Sequence, residues 1–508
     1  MAQRHRKTPR LGIVLDAAQP SSLQAQIVGQ LRRAVLEQRL GAGTRLPSSR
    51  LLAEELDCAR GTVLTALDHL IAEGYLVSRP GSGVFVAPDL PDALLRAPGM
   101  IRERRQATLV TTPLLPPRTQ AVLSDHAPEP GPDDAGSIAF PLGQPDRRAF
   151  PFALWARLLE REWRNPSWRD AGAPPPFGHG GLRQAIAAYL GAARGFVCDP
   201  ETVVITAGVR ESVSLFARIV LADGEPAWVE EPGYAGIDQA LTDAGVRAVP
   251  IAIDESGFSM ETALAMAPDA RLAIVTPSHQ FPLGTVLSLP RRLALLDWAE
   301  RTGGWIIEDD FDGEYRYSGR PLAPLRALDR SGRVGYLGNF SKLLFPSLRL
   351  SFLVLPASLV DAAHAMRARS PAGASLLGQG ALARFIADGH LTAHLRRTRL
   401  LYAGRQQALV AAAARHLHGL LDIAPDPGGM HLIARPSPDF EPAFDDVVVA
   451  AAAARAGLRT APLSRCYRGP DGAQGLILGY AGTPEAEIEA AITTLKQILE
   501  ALRPPGQS

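Results

Sequence analysis

Residues 338–356 read GNFSKLLFPSLRLSFLVLP, and the position that decides the reading is Lys342. Of the 53 basic residues only three are lysines, Lys7, Lys342 and Lys496; the rest are arginines. Against that background a lysine marks a place where arginine cannot serve. A guanidinium keeps its proton in a protein and cannot attack a carbonyl, whereas an amine can. Lys7 and Lys496 lie near the ends of the chain; Lys342 lies mid-chain between apolar runs. From the residues alone it is either a partly exposed lysine at a strand-to-helix turn or a nucleophile.

Working outward from Lys342, short apolar runs recur: TVVITA (202–207), AWVEE (227–231), AVPIAI (248–253), LAIVTPS (272–278), WIIEDD (305–310), VGYLGNF (334–340) and LSFLVLP (350–356). Helical stretches separate several of them. Such alternation predicts an α/β domain with a mostly parallel sheet covered on both faces. After about Ala383 the chain turns helix-rich and ends with GGMHLIAR, GLILGYA and the helix EAEIEAAITTLKQILEAL, the pattern of a small C-terminal α+β lobe spanning about 383–502. The α/β body as a whole is expected over 136–502. The Ala-rich run Val447–Ala454 reads as a buried helix.

Residues 20–87 differ. Leu23, Ile27, Leu31 and Val35 repeat at helical spacing. GAGTRLP turns the chain, Ser48 and Ser49 offer an N-cap, and SSRLLAEELD predicts a second helix. A third, GTVLTALDHLIAEG, carries Val63, Leu64, Leu67, Leu70 and Ile71 as its apolar face and ends at Gly74. YLVSRPGSGVFVA predicts a hairpin with a glycine-rich tip. Between the two regions, 88–135 is proline-rich and aperiodic, a linker. Its Arg102–Arg105 run is a solvated charge cluster or a phosphate contact.

The 508 residues require two or three domains. A net charge of +1 carries no nucleic-acid signal, although residues 1–80 hold 11 Lys and Arg against 7 Asp and Glu. Cys58, Cys198 and Cys466 are too scattered for a metal cluster or a disulfide framework, so no metal is expected and a reducing compartment is. The basic start MAQRHRKTPR has no apolar core of a signal peptide, and no run is long enough to span a bilayer. A cytoplasmic protein without a membrane partner is expected.

RLPSSRLLAEELDCARGTVLTALDHLIAEGYLVSRPGSGVFVA (45–87) closely resembles the GntR-type winged helix-turn-helix. The resemblance implies a double-stranded DNA operator as partner. Arg45, Ser48, Ser49 and Arg50 would hold phosphate at the start of the second helix. Arg60 and Thr62 open the third helix, which in that fold enters the major groove. Arg79, Gly81, Ser82 and Gly83 form the wing tip. Gly61 departs from the family, which commonly places a polar, Asn-like residue there; one base contact is thereby lost.

Residues 140–495 resemble the aminotransferase-like half of MocR regulators, a subfamily that joins the GntR reader to a fold-type I body binding pyridoxal 5′-phosphate (PLP). The motifs are TPSHQFPLG (276–284), EDDFDGEYRYSGRPL (308–322) and FSKLLFPSLR (340–349). The resemblance implies an imine on Lys342, next to Ser341. It implies that Asp309 pairs with the pyridine nitrogen, that Tyr234 stacks, and that Ser278, His279 and Gln280 stand near the ring. The amides of Gly208, Val209 and Arg210, with Arg349, would take the phosphate. Phe311 replaces the tyrosine that usually reaches the cofactor's O3′. Gly236 falls where a γ-aminobutyrate-sensing member carries an arginine, and GLILGYAG lacks the arginine that binds α-carboxylates in aminotransferases; Arg465 or Arg468 could substitute.

What the resemblance implies is a transcription regulator that senses PLP, or an amine reacting with the Lys342 imine. The alternative is an active aminotransferase carrying a DNA-binding domain. A head-to-tail homodimer is implied in either case.

Overall fold

The computed structural model describes residues 11–16, 21–37, 39–88, 139–164, 174–319, 322–369, 373–440, 444–469 and 472–503. The chain divides into two compact units, Met1–Pro128 and Glu129–Ser508. Most of the proline-rich 88–135 segment, including Arg102–Arg105, lies outside the described residues.

The described residues of the first unit form three helices, α1 (Leu23–Leu36), α2 (Ser49–Glu55) and α3 (Arg60–Ala72), then a hairpin of β1 (Leu76–Arg79) and β2 (Gly83–Val86). Ser22 and Ser48 cap α1 and α2, each hydroxyl accepting from an amide three residues on. Ile27, Leu31 and Val35 meet Leu52, Val63, Leu67 and Leu70 in one core. One expectation is corrected: Leu64 is 40% exposed. The stripe runs through Val63, Ala66, Leu67 and Leu70, because at 100° per residue position 66, not 64, continues the face opened by 63. The hairpin pairs Leu76 with Val86 and Arg79 with Gly83.

The second unit contains an eight-stranded sheet in the order β3-β10-β9-β8-β7-β4-β5-β6. The strands are β3 (Val203–Thr206), β4 (Pro226–Glu231), β5 (Arg247–Asp254), β6 (Gly257–Phe258), β7 (Leu272–Val275), β8 (Trp305–Asp309), β9 (Val334–Asn339) and β10 (Ser351–Val354). Every apolar run named from the sequence contributes a strand. The pairs β5–β4–β7–β8–β9 are parallel; β10 runs antiparallel between β9 and β3, and β6 folds back on β5. β3, β7, β8 and β10 are buried at every position, as helices on both faces require. The two-residue β6 is too short to leave a periodic signal.

A small lobe follows. The 27-residue helix His390–His416 packs against Glu485–Leu502. A four-stranded antiparallel sheet, β11 (Leu421–Ile423), β12 (His431–Pro436), β13 (Ala461–Pro462) and β14 (Leu476–Gly479), has the order β11-β12-β14-β13. The Ala-rich helix, Asp446–Arg455, buries one face, Val449, Ala450 and Ala453, and leaves Val448 exposed. Among the described residues no helix is long and apolar enough to cross a membrane, and no cluster of His, Cys, Asp and Glu could hold a metal ion.

Candidate functional sites

In the first unit Arg45, Arg50, Arg60 and Arg79 are all exposed, and none has an acidic partner among the described residues. Arg32 and Arg39, by contrast, are neutralised by Glu73 and Glu37. Ser48 spends its hydroxyl on the Leu51 amide at 3.3 Å, and Ser49 accepts from Arg60 Nε at 3.2 Å, tying the start of α2 to the start of α3. The residue before α3 is Ala59, which offers no capping side chain, so the positive end of the helix dipole is open to an anion. In the wing, Gly83 has φ +107° and lets the Arg45 guanidinium lie against its backbone; a Cβ there would stand 3.3 Å from Arg45 Nε. Arg79 lies over the Phe85 ring at 4.9 Å. Gly61 opens α3 on an exposed face. Thr62 is half-buried, and Gly81 and Ser82 are exposed at the tip of the wing.

In the second unit β3, β4, β7, β8 and β9, five of the strands that share one direction, deliver their carboxyl ends to one place. This is where open α/β sheets bind ligands. The cavity there has a volume of about 1010 Å³. β3 leads into Gly208, Val209 and Arg210; β4 into Tyr234; β7 into Thr276 and Phe281; β8 into Asp309 and Phe311; β9 into Asn339, Ser341 and Lys342. All of these residues line the cavity, as does Arg349.

Lys342 Nζ donates to the Gly143 carbonyl at 3.0 Å. Burial pulls its pKa down, against the opposing pull of Asp312 and Asp309, so the neutral amine is more accessible than in water. Asp309 is fully enclosed, and burial, with Asp310 and Glu230 nearby, pushes its pKa up to about 8. Its Oδ1 finds no hydrogen-bond partner among the described residues. A buried carboxylate oxygen aimed at nothing is costly unless something cationic completes it.

The helix Val209–Val220 starts at Gly208 with no side-chain cap. Its acidic first-turn residue, Glu211, also lines the cavity, where its carboxylate accepts from the Ala207 amide at 2.6 Å and is paired with Arg367. Arg349, exposed and in the left-handed region at φ +47°, has no ion-pair partner among the described residues. Arg210 instead stands 3.6 Å from Asp243.

Ser278, His279 and Gln280, expected near a cofactor ring, are all buried and are not among the residues that line this cavity. Two carboxylates hold His279 and a peptide carbonyl holds Gln280, whereas the Ser278 hydroxyl has no hydrogen-bond partner among the described residues. His279 Nδ1 lies 3.1 Å from Asp312 and Nε2 3.3 Å from Asp426. Burial lowers its pKa, but the two aspartates outweigh burial and raise it to about 10. Gln280 Nε2 donates to the Pro232 carbonyl at 2.8 Å. The residues that do reach the cavity from this segment are Thr276, whose amide donates to Glu230 at 3.1 Å, and Phe281. Phe311 lines the cavity with its ring 6.1 Å from Phe281, edge to face, and offers no donor. The half-exposed Tyr234 ring also stands edge-on to Phe281, at 6.1 Å.

Sequence reasoning missed Gly143, Glu230, Asn339, Arg367, Met430 and His431 as cavity residues. Thr276, Phe281 and Asn339 lay inside or beside motifs already singled out. Gly143 and Arg367 carried no local signal; their roles depend on contacts 199 and 156 residues away in the chain.

Residues 23–86 match the model of bacterial regulatory proteins of the gntR family, and residues 158–495 that of aminotransferases of class I and II. The probable rhizopine catabolism regulatory protein MocR of Rhizobium meliloti is 41% identical over 494 residues, covering 97% of each chain. The HTH-type pyridoxine biosynthesis transcriptional regulator PdxR of Corynebacterium glutamicum is 34% identical over 500 residues, covering 95% of this chain and 99% of its own. Among solved structures, an archaeal alanine:glyoxylate aminotransferase superimposes with a TM-score of 0.66 at 23% identity, over 72% of this chain and 92% of its own, which speaks for the fold alone.

Proposed function

The chain belongs to the MocR-type family of transcription regulators, a gntR-family winged helix joined to a class I and II aminotransferase body, and from that premise we propose that PLP held on Lys342 sets its affinity for an operator. The observation that carries the reading is the pairing of a half-buried Lys342, whose amine gives up its proton more readily than in water, with an orphaned Asp309 oxygen in one cavity. PLP fits these groups. Its aldehyde carbon meets a primary amine able to form an imine with it, and its ring nitrogen supplies the cation that Asp309 lacks. Its phosphate suits the uncapped start of Val209–Val220, with Ser341 and Arg349 beside it. When bound, PLP would supply an electrophilic carbon to an incoming amine. Phe311 leaves O3′ without the usual donor.

Arg45, Arg50, Arg60 and Arg79 meet the DNA in this reading, with Ser48, Ser49, Thr62 and the wing-tip residues Gly81, Ser82 and Gly83 at the same surface. A head-to-tail homodimer would offer two such readers for two half-sites. The effector is PLP itself or an amine that reacts with it. Coupling requires that PLP bind one state of the protein more tightly than another, by a factor of roughly 5–150 in typical cases. The second reading, an aminotransferase, is disfavoured by Arg468, the arginine on the small-lobe wall, which is engaged by Glu231 and Asp238.

The deciding experiment records the visible spectrum of the full chain with PLP, before and after borohydride, beside Lys342→Ala, and titrates PLP into a gel shift with each. A visible band lost on reduction and absent from the variant, with DNA binding retained but no longer responsive to PLP, is expected. A PLP response unchanged in Lys342→Ala would sink the proposal. Amino-group transfer to a keto acid well above the rate of free PLP would favour the aminotransferase.

A further inference from the structure

The small lobe contributes Met430, His431 and Arg468 to the cavity wall. An amino-acid ligand needs a cation for its carboxylate, and Arg468 is the one this wall offers. It is already satisfied. Its Nη1 donates to the Glu231 carboxylate and, at 3.0 Å, to the Glu230 carbonyl. Its Nε reaches Asp238 at 2.9 Å, and its Nη2 reaches both oxygens of Asp238 at 2.7 and 2.8 Å. The Arg468 amide donates to Glu231 as well, at 2.6 Å. Two carboxylates around one guanidinium leave this corner with a negative charge in excess.

The neighbouring wall adds no cation. His431 is buried and its Nε2 stands 2.9 Å from the Pro282 carbonyl; burial, with the charged His279 beside it, pulls its pKa down to about 4, so it is neutral. The buried strand β14 is Leu476, Ile477, Leu478 and Gly479. Position 236 is a glycine with Tyr234 folded over it: a Cβ there would stand 2.3–2.8 Å from Tyr234 ring atoms and hydroxyl, so a longer side chain would have to displace the tyrosine. Of the remaining arginines that line the cavity, Arg367 is bound to Glu211, Arg210 faces Asp243, and Arg218 and Arg349 lie on the helix Val209–Val220 and the segment after Lys342.

We propose that the small-molecule effector is a primary amine without a carboxylate, whose remaining groups are hydroxyl or amino groups facing Arg468, Glu231 and Asp238. The inference rests on PLP being held at Lys342 and goes further by naming the class of amine. A carboxylate would have to break at least one of the two ion pairs of Arg468 or lie beside Glu231 and Asp238 unpaired. A hydroxyl can donate to the carboxylates without displacing the guanidinium, and an ammonium is attracted by the excess charge.

The test uses the PLP-loaded full chain and matched probes: 3-aminopropan-1-ol against 3-aminopropanoate, and 2-aminopropan-1-ol against alanine. The readout is the concentration that half-shifts the visible band, with the gel shift as a second measure. Each amino alcohol is expected to act at a concentration at least tenfold below its carboxylate partner. In the double variant Glu231→Gln, Asp238→Asn, Arg468 is released and the ratio is expected to fall toward one or reverse. A wild-type response that is equal, absent, or stronger for the carboxylates overturns the proposal, and that comparison decides it even where the double variant does not fold. Failure of the underlying reading looks different: no visible band forms with PLP, and this proposal falls with it.

Discussion

Lys342 Nζ reaches across the cavity to the carbonyl of Gly143 at 3.0 Å, and Gly143 is the residue that makes the approach possible. It sits at φ +62°, and a Cβ on it would stand 2.2 Å from Nζ. Gly143→Ala should therefore push the amine out of place as well as strain the backbone, by about 1–2 kcal/mol. PLP affinity is expected to fall at least tenfold by absorbance titration, while operator binding without PLP stays within twofold of wild type. Unchanged PLP affinity would show that Nζ is not held by this contact.

Asp309 gives a pH signature. Its pKa rises from the usual carboxylate range to about 8 on folding, so the folded state holds a proton that the unfolded chain releases near pH 4. Stability should thus decline as pH rises from about 4 to about 8. Glu230, Glu308 and Glu314, each pushed to about 7 by burial, add to the same slope. The contribution of Asp309 is isolated by Asp309→Asn. In urea unfolding without PLP the variant should gain on wild type by a few kcal/mol between pH 5 and pH 8.5, and it should bind PLP more weakly. A constant gap across that range would refute the assignment.

His279 has the opposite partner. It is buried between Asp312 and Asp426, and its pKa rises to about 10 in spite of burial. The stabilisation is complete below the unfolded value near 6.5 and is lost as pH climbs to about 10. His279→Leu leaves Asp312 enclosed without its cation and should cost about 3–5 kcal/mol at pH 7. The difference from wild type should narrow when unfolding is repeated at pH 9.5.

The DNA reader is tested by salt. Arg45→Ala and Arg79→Ala each remove one unpaired exposed charge from the wing side. Each should weaken binding about equally on specific and random duplexes and lower the slope of log K against log salt by about 0.9. Arg60→Ala, at the open start of α3, should reduce discrimination between operator and random DNA by about 1–3 kcal/mol. A slope unchanged in all three would place the interface elsewhere.

Much of this was legible before the fold. The strands of the large sheet are short apolar runs flanked by turns, a local pattern that burial on both faces enforces. The capped start of α2 was visible in Ser48 and Ser49, of which Ser48 is the cap, since capping involves residues three apart. Leu64 was misread because a helix face and a run of apolar letters coincide only approximately. His279 was expected near a cofactor ring by resemblance; that it stands between Asp312 and Asp426, 33 residues on and in the small lobe, no local pattern could show.

Sequence by itself determined which chemistries the chain could host: one mid-chain lysine among arginines, an acidic strand end at Asp309, and a helical reader with a glycine-tipped hairpin. Those features are local, written in neighbouring residues, and the backbone has few ways to display them. Only the tertiary structure decided which charges remained available. Arg468 is satisfied by Glu231 and Asp238, more than 200 residues earlier. Asp309 is left with an oxygen unanswered, and Gly143 comes to lie against Lys342. Ion pairing and burial depend on distances between distant segments, and those distances exist only once the sheet has gathered its strand ends into one place.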